Sequence, residues 1–178
     1  MIIWINGTFG AGKTTTGTLL AERDPHWRTF DPEWVGYMLR NNLADHPVTD
    51  FQHYDSWRRL TPLIADEIAR ATGQGLVTIQ TVLDESYWDE LESAFSALGH
   101  EIFHVVLEAR DDVMVQRIDE DEVETGARQW RLDHLAAYAD ARPWMEAKAD
   151  LFLDTSALMP DEAVEKIWAA MPAPPRTS

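Results

Sequence analysis

The apolar run Ile2-Ile3-Trp4-Ile5 leads into Gly7-Thr8-Phe9-Gly10-Ala11-Gly12-Lys13-Thr14, and a helical pattern carries on to about Glu22. This segment satisfies G-x-x-x-x-G-K-[ST] at every fixed position, between a β-branched run that reads as a buried strand and a helix. The chemistry demands that context. Glycines let backbone N–H groups curl around a phosphate without Cβ clashes, and the helix that follows points its positive end at the same anion. Lys13 then reaches the β- and γ-phosphates, the Thr14 hydroxyl takes a Mg²⁺ position, and Thr15 donates to the α-phosphate. Phe9, Gly10, Ala11 and Gly12 complete the expected cradle for ATP. Ile2 to Ile5 is apolar at every position, as in a strand buried on both faces of a parallel sheet.

Outward from this loop, strands and helices alternate. Trp27–Phe30 reads as a second strand, followed by Asp31-Pro32, an N-cap with Pro at the first helical position, and a helix from Glu33 to about Asn41. A longer helix is expected from about Tyr54 to Ala71, a third strand over Leu76–Leu83, and a helix over Asp89–Leu98. Ile102–Leu107 and Leu151–Leu153 are the fourth and fifth strands, with helices at Asp111 to about Glu120, Arg128–Ala141 (ending before Pro143) and Asp161–Ala170. The expectation is an α/β fold: a five-stranded parallel sheet with helices on both faces, and ligands at the carboxyl ends of the strands. It forms one domain over 1–171, with a small lid at about 119–131 and a flexible, Pro-rich tail over 172–178.

Charge and composition narrow the partners. Fifteen Lys and Arg against 31 Asp and Glu leave a net charge of −16, a field that repels phosphate backbones and anionic lipid. Nucleic acid and membrane surfaces are therefore excluded as main partners. With no cysteine, disulfides, thiolate metal sites and a Cys nucleophile are excluded too. The six histidines show no metal spacing. No apolar stretch is long enough to span a bilayer and no signal-peptide pattern opens the chain, so a cytoplasmic location is expected. A homodimer stays open.

The opening Met1–Gly7, the glycine loop, Phe30-Asp31-Pro32-Glu33, Gly36-Tyr37-Met38-Leu39-Arg40, Phe51-Gln52 and Trp57-Arg58 together resemble the bacterial tunicamycin-resistance protein family. The resemblance covers about two-thirds of the chain and thins in the lid and the C-terminal third. That family is similar in fold to nucleoside-monophosphate, shikimate and chloramphenicol kinases. The resemblance implies ATP binding and antibiotic self-protection, while a phosphate loop alone does not specify phosphoryl transfer.

Further roles follow from that kinship. An acid after the second strand handles the acceptor in such kinases, which makes Asp31 either base or acceptor anchor, or simply a helix cap. Glu33 is a poorer candidate, a first-turn carboxylate favoured by the helix dipole. Arg40 lies where these folds hold an acidic substrate, or it is a surface arginine. Arg117 resembles the arginine stacked on adenine at the base of the lid, and Thr155 lies in the loop that borders the adenine with its backbone. A second arginine for the γ-phosphate comes from Arg128 or Arg131, since Asp121 occupies the position where relatives carry one. From the residues themselves, Gln80 and Thr81 interrupt the third strand and look like substrate contacts, and Trp34, Tyr54 and Trp57 would wall an acceptor site. Asp84 is a magnesium partner or an N-cap. The acidic run Asp119–Glu124 is a solvated lid tip or recruits a cationic acceptor.

The function expected is an ATP- and Mg²⁺-dependent phosphotransferase acting on a hydroxyl of a small molecule, with an antibiotic as the leading acceptor. The alternatives are ATP-gated sequestration of a drug without chemistry, and a housekeeping metabolite kinase. A motor ATPase fits poorly.

Overall fold

The structure, a computed structural model, describes residues 1–119 and 128–172, with the side chains of residues 118–119 and 128–135 outside the description. Its strands are β1 (Ile2–Gly7), β2 (Trp27–Phe30), β3 (Gly75–Ile79), β4 (Ile102–Glu108) and β5 (Leu151–Asp154). The helices are α1 (Lys13–Glu22), α2 (Glu33–Asn42), α3 (Asp55–Thr72), α4 (Glu85–Ala97), α5 (Asp111–Asp119), α6 (Arg128–Lys148) and α7 (Pro160–Ala170), with a short 3₁₀ turn at Phe51–His53 before α3. All strand pairs are parallel, in the order β2-β3-β1-β4-β5, so the phosphate loop leaves the central strand.

Alternation along β1 divides the core. Ile2 and Trp4 face one side of the sheet and pack with Val35, Trp57, Trp88 and Phe95 from α2, α3 and α4. Ile3 and Ile5 face the other side, with Leu20 of α1 and Ile167 of α7. Both faces are covered, which is why β1 reads as apolar throughout and shows no alternation with polar residues.

Three boundaries differ from the sequence expectation, each for a long-range reason. Strand β3 stops at Ile79 instead of reaching Leu83. The Trp4 indole donates to Gln80 O at 3.0 Å, while the Asn6 side chain accepts from Val82 N at 3.0 Å and donates to Val82 O at 3.1 Å. The chain after β3 is thus held by side chains of β1 and leaves the ladder. Helix α4 starts a turn early, because Asp84 caps it by accepting from Ser86 N and Tyr87 N. Helix α6 runs through Pro143 to Lys148, although an internal proline costs about 3 kcal/mol. Burial offsets this: Tyr138, Ala141 and Met145 pack against Val106, and the Trp144 indole donates to Leu83 O at 3.1 Å. The expected lid (119–131) falls largely outside the described residues, as does the tail from 173 onward.

Candidate active site

The glycine loop is built as its spacing demands. Gly7 has φ +124°, and a Cβ there would lie 1.9 Å from Leu107 O, so β4 allows no side chain. Gly12, at φ +86°, ends the loop in the left-handed region and caps α1 without a side chain, leaving the first-turn N–H groups of the helix for a ligand. The Lys13 ammonium spans the loop, donating to Thr8 O at 2.7 Å and lying 5.1 Å from the centre of the Phe9 ring.

Neighbouring elements brace the loop from three sides. From β1, Asn6 Oδ1 accepts from Gly7 N at 2.8 Å. From the exit of β3, the Thr81 hydroxyl donates to Gly7 O at 2.9 Å. From α5, Arg117 donates to Gly10 O at 3.1 Å and to Thr155 O at 3.0 Å. Thr155, 3% exposed, sets its hydroxyl between Ala11 O at 3.0 Å and Glu108 O at 2.9 Å. Having one proton, that hydroxyl donates to one of the two at a time.

A cleft of about 1120 Å³ opens from this loop. Phe9, Gly10, Gly12, Lys13, Thr14, Thr15 and Arg117 line one end, and Glu33, Tyr37, Arg40, Gln80, Asp84 and Tyr87 line the rest, with the Thr49–His53 segment between. The structure therefore gathers the loop residues, Arg117, Arg40 and Gln80 in one cavity. Arg40 stands 6.0 Å from the centre of the Phe51 ring. Asp84 lines the cleft and caps α4 at once; its bonds from Ser86, and from the Tyr87 backbone, hold its carboxyl below the usual carboxylate range.

Other expected residues lie elsewhere. Asp31 is exposed and outside the cleft wall, its carboxylate accepting from Glu33 N at 2.9 Å as a helix cap. Glu33 lines the cleft instead and accepts from the Tyr37 hydroxyl at 2.9 Å. Trp57 is not among the residues that line the cleft: it is fully buried, and its indole donates to Pro32 O at 3.0 Å. Tyr54 is buried as well, with its hydroxyl on His46 O. Trp34 turns outward, 71% exposed, and is not part of the cleft wall. Tyr37, Phe51 and Tyr87, with Phe9 of the loop, are the aromatic residues other than histidine that line the cleft. Ala11 and Thr155 stand behind the loop, with their carbonyls already engaged by Thr155 and Arg117. The side chains of Arg128 and Arg131 lie outside the described residues.

The residues present fit a nucleotide-borne magnesium ion. Thr14 and Asp84 line one cleft, and among the described residues no group of three or more His, Asp or Glu side chains could hold a metal by itself. The Thr14 hydroxyl and the Asp84 carboxylate are hard oxygen donors of the kind magnesium takes. Among the described residues no helix is long and apolar enough to cross a membrane.

Comparison with known proteins agrees with this geometry. The tunicamycin resistance protein of Deinococcus radiodurans is similar at 29% identity, with 98% of each chain covered and a TM-score of 0.69. A sugar kinase from Janibacter shares the fold at 19% identity, covering 94% of this chain and 92% of that one, with a TM-score of 0.68. The APS kinase of Mycobacterium tuberculosis does so at 17% identity, covering 95% of each chain, with a TM-score of 0.64. No curated protein matches the sequence. The fold is that of P-loop kinases, and the resemblance to tunicamycin resistance proteins holds over nearly the whole chain. A family model described as "AAA domain" matches residues 2–143, and the chain belongs to that family.

Proposed function

We propose that this protein transfers the γ-phosphate of ATP to a hydroxyl of a small molecule held in the acceptor part of the cleft. The observation that carries the reading is the continuity of the cavity: one cleft joins the Lys13 loop to Glu33, Gln80 and Tyr87, so donor and acceptor can lie side by side. In this scheme the acceptor hydroxyl gives its proton to Glu33, which is held by the Tyr37 hydroxyl. The acceptor oxygen bonds to the γ-phosphorus, the bond from that phosphorus to the bridging oxygen of the β-phosphate breaks, and ADP leaves. Lys13 and the loop N–H groups stabilise the charge on the transferring group, where most of the catalysis of phosphoryl transfer resides. Magnesium, when bound, would add charge neutralisation at the phosphates, and Thr14 and Asp84 are the residues that would hold it. Asp31 acts through the cap it forms on α2, which carries Glu33, and Arg117 fixes the loop at the adenine end.

Similarity to a tunicamycin resistance protein favours an antibiotic as the acceptor. The test is ATP consumption with Mg²⁺ against a panel of hydroxylated antibiotics and metabolites, with products read by mass. A stimulating antibiotic that gains one phosphate, lost in a folded Lys13→Ala variant, supports the reading. A metabolite that gains it points to a housekeeping kinase. A compound retained beside bound ATP with no gain in mass overturns phosphoryl transfer in favour of ATP-gated sequestration.

A further inference from the structure

One buried side chain holds the start of the phosphate loop. Asn6, fully buried near the end of β1, accepts on Oδ1 from Gly7 N at 2.8 Å and from Val82 N at 3.0 Å. Both partners are backbone N–H groups, so a flipped amide would set its own N–H groups against them, and the orientation is fixed. Nδ2 then has Val82 O before it at 3.1 Å and His104 Nε2 at 3.5 Å. His104, on β4, is 2% exposed and is not among the residues that line the cleft. Its ring stacks 3.9 Å from Trp88 of α4, with Trp144 of α6 at 6.3 Å and nearly parallel. His104 Nδ1 lies 3.2 Å from Lys148 O at the end of α6. A carbonyl oxygen only accepts, so Nδ1 carries the ring proton and Nε2 turns its lone pair to Asn6. The assignments made from the two ends agree: from Lys148 O through His104 and Asn6 to Gly7 N, every donor meets an acceptor.

Burial pushes the imidazole down to about 4, which leaves Nε2 without a proton at neutral pH. Charged groups on the surrounding elements have partners of their own. Asp150 accepts from His104 N at 2.8 Å, and the Lys148 ammonium is held by Glu85 and Asp89 of α4. What Asn6 controls is both sides of Gly7. Its Oδ1 takes Gly7 N directly. Through Val82 it also holds the chain leaving β3, where the Thr81 hydroxyl donates to Gly7 O at 2.9 Å and where Leu83 and Asp84 join the cleft wall. A proton on Nε2, or a ring without nitrogen, leaves an Asn6 N–H facing no acceptor, and the amide relieves that by turning away from Gly7 and Val82.

We infer that His104 is a positioning residue of the phosphate loop: without reaching the cleft, its unprotonated Nε2 keeps the Asn6 amide in the orientation that fixes Gly7. The inference deepens the reading above and rests on it for the nucleotide. Three measurements test it. In the free protein, nitrogen NMR of the imidazole at neutral pH should show His104 protonated on Nδ1 alone. In His104→Phe, which keeps a ring on Trp88, the Gly7 and Val82 amides should exchange with solvent about 3- to 10-fold faster, after the change in global stability from urea denaturation is subtracted. Binding of AMP-PNP with Mg²⁺, by calorimetry, should weaken about 3- to 10-fold in His104→Phe, and no further when His104→Phe is added to Asn6→Ala. The inference is overturned if His104 carries its proton on Nε2, if the two amides keep wild-type exchange, or if His104→Phe weakens AMP-PNP by the same factor with and without Asn6, as a residue that serves packing alone would. The ring and amide readouts need no nucleotide. A wild-type protein that fails to bind AMP-PNP would thus remove the nucleotide reading of the loop and leave those two readouts to decide the role of His104.

Discussion

Arg58→Met removes the fastening of the segment that forms the middle of the cleft wall. Arg58 belongs to α3, and its side chain is 7% exposed. Its Nη1 donates to Gln52 O, its Nη2 to Asp55 at 2.7 Å and its Nε to Glu90 at 2.7 Å, with the guanidinium over Tyr87. Methionine keeps much of the stem packing, so the loss divides among these polar contacts. The Asp55 and Glu90 side chains are 81% and 51% exposed and regain water, which limits each ion pair to about 0–1 kcal/mol. The cation–π contact adds about 0.5–2 kcal/mol, part of which a sulfur–aromatic contact restores. Gln52 is 9% exposed, and its carbonyl, left without a donor, costs about 1–3 kcal/mol. The carbonyl decides the outcome: with the exposed ion pairs at the low end of their range and the ring contact largely replaced by sulfur, the loss is about 2–3 kcal/mol.

For a chain of this length each kcal/mol moves Tm by about 2–4 °C, so a fall of about 4–12 °C is expected. Urea denaturation followed by tryptophan fluorescence measures the loss directly, with an unchanged m-value showing that the denatured state is the same. Arg58→Lys restores the charge with a single nitrogen and should fall between the two. Because the segment from Asp50 to His53 lines the cleft, the acceptor KM should rise more than the ATP KM. A loss below about 1 kcal/mol with unchanged acceptor KM would refute the reasoning: water would then serve Gln52 O as well as the guanidinium does.

Glu33→Gln should lower kcat at least 100-fold with ATP affinity intact, whereas Asp31→Asn should act on stability by about 1 kcal/mol or less; the reverse pattern in steady-state kinetics would return the base to Asp31. Burial pushes the His104 imidazole down to about 4, against a bond to Lys148 O that works the other way. The unfolded chain therefore binds the extra proton between pH 6.5 and 4, and folding stability falls by up to about 3 kcal/mol as pH drops through that window. His104→Phe, which keeps a ring on Trp88, should flatten this part of the urea-midpoint profile. Trp57→Ala should cost about 3–5 kcal/mol, while Trp34→Ala should stay within about 0.5 kcal/mol, as equilibrium unfolding would show.

Much of the frame is legible along the chain because it is local. The glycine loop needs backbone conformations and a lysine at fixed spacing, and Asp31-Pro32 announces the start of α2. What escapes a linear reading is decided between distant residues. Asn6 captures Val82 across 76 positions, which no strand propensity at 80–83 can reveal. Pro143 stops a helix by local rules, yet the buried face of Tyr138, Ala141 and Met145 carries α6 past it. Which acid of the pair faces the cleft has a finer cause. Asp31 spends its carboxylate on the N–H of Glu33, and the residue thus placed in the first turn is the one that lines the cleft. Trp34 was detectable: Val35, Gly36 and Leu39 are the buried positions of α2, and the residue before Val35 falls on the outer face. Gln80 was legible as well, a polar residue just past the last residue of β3.

A chain with net charge −16 for which a polyanionic ligand is proposed requires an explanation, and the helix starts supply it. Acidic residues occupy the first turns of α2, α3, α4, α5 and α7, where they satisfy the positive end of each helix from within the chain. The first turn of α1 has none; it reads Lys13-Thr14-Thr15-Thr16, and its cap is a glycine with no side chain to donate or accept. The N-terminal partial charge that the protein neutralises at these other starts is left open at the phosphate loop, with the Lys13 ammonium added to it. Exposed carboxylates more than about 8 Å away are screened by physiological salt, whereas loop N–H groups in direct contact with a phosphate are not. The global field therefore discourages extended polyanions such as nucleic acid, which must meet many surface charges at once. A compact triphosphate meets the start of α1, which the sequence leaves without an acid.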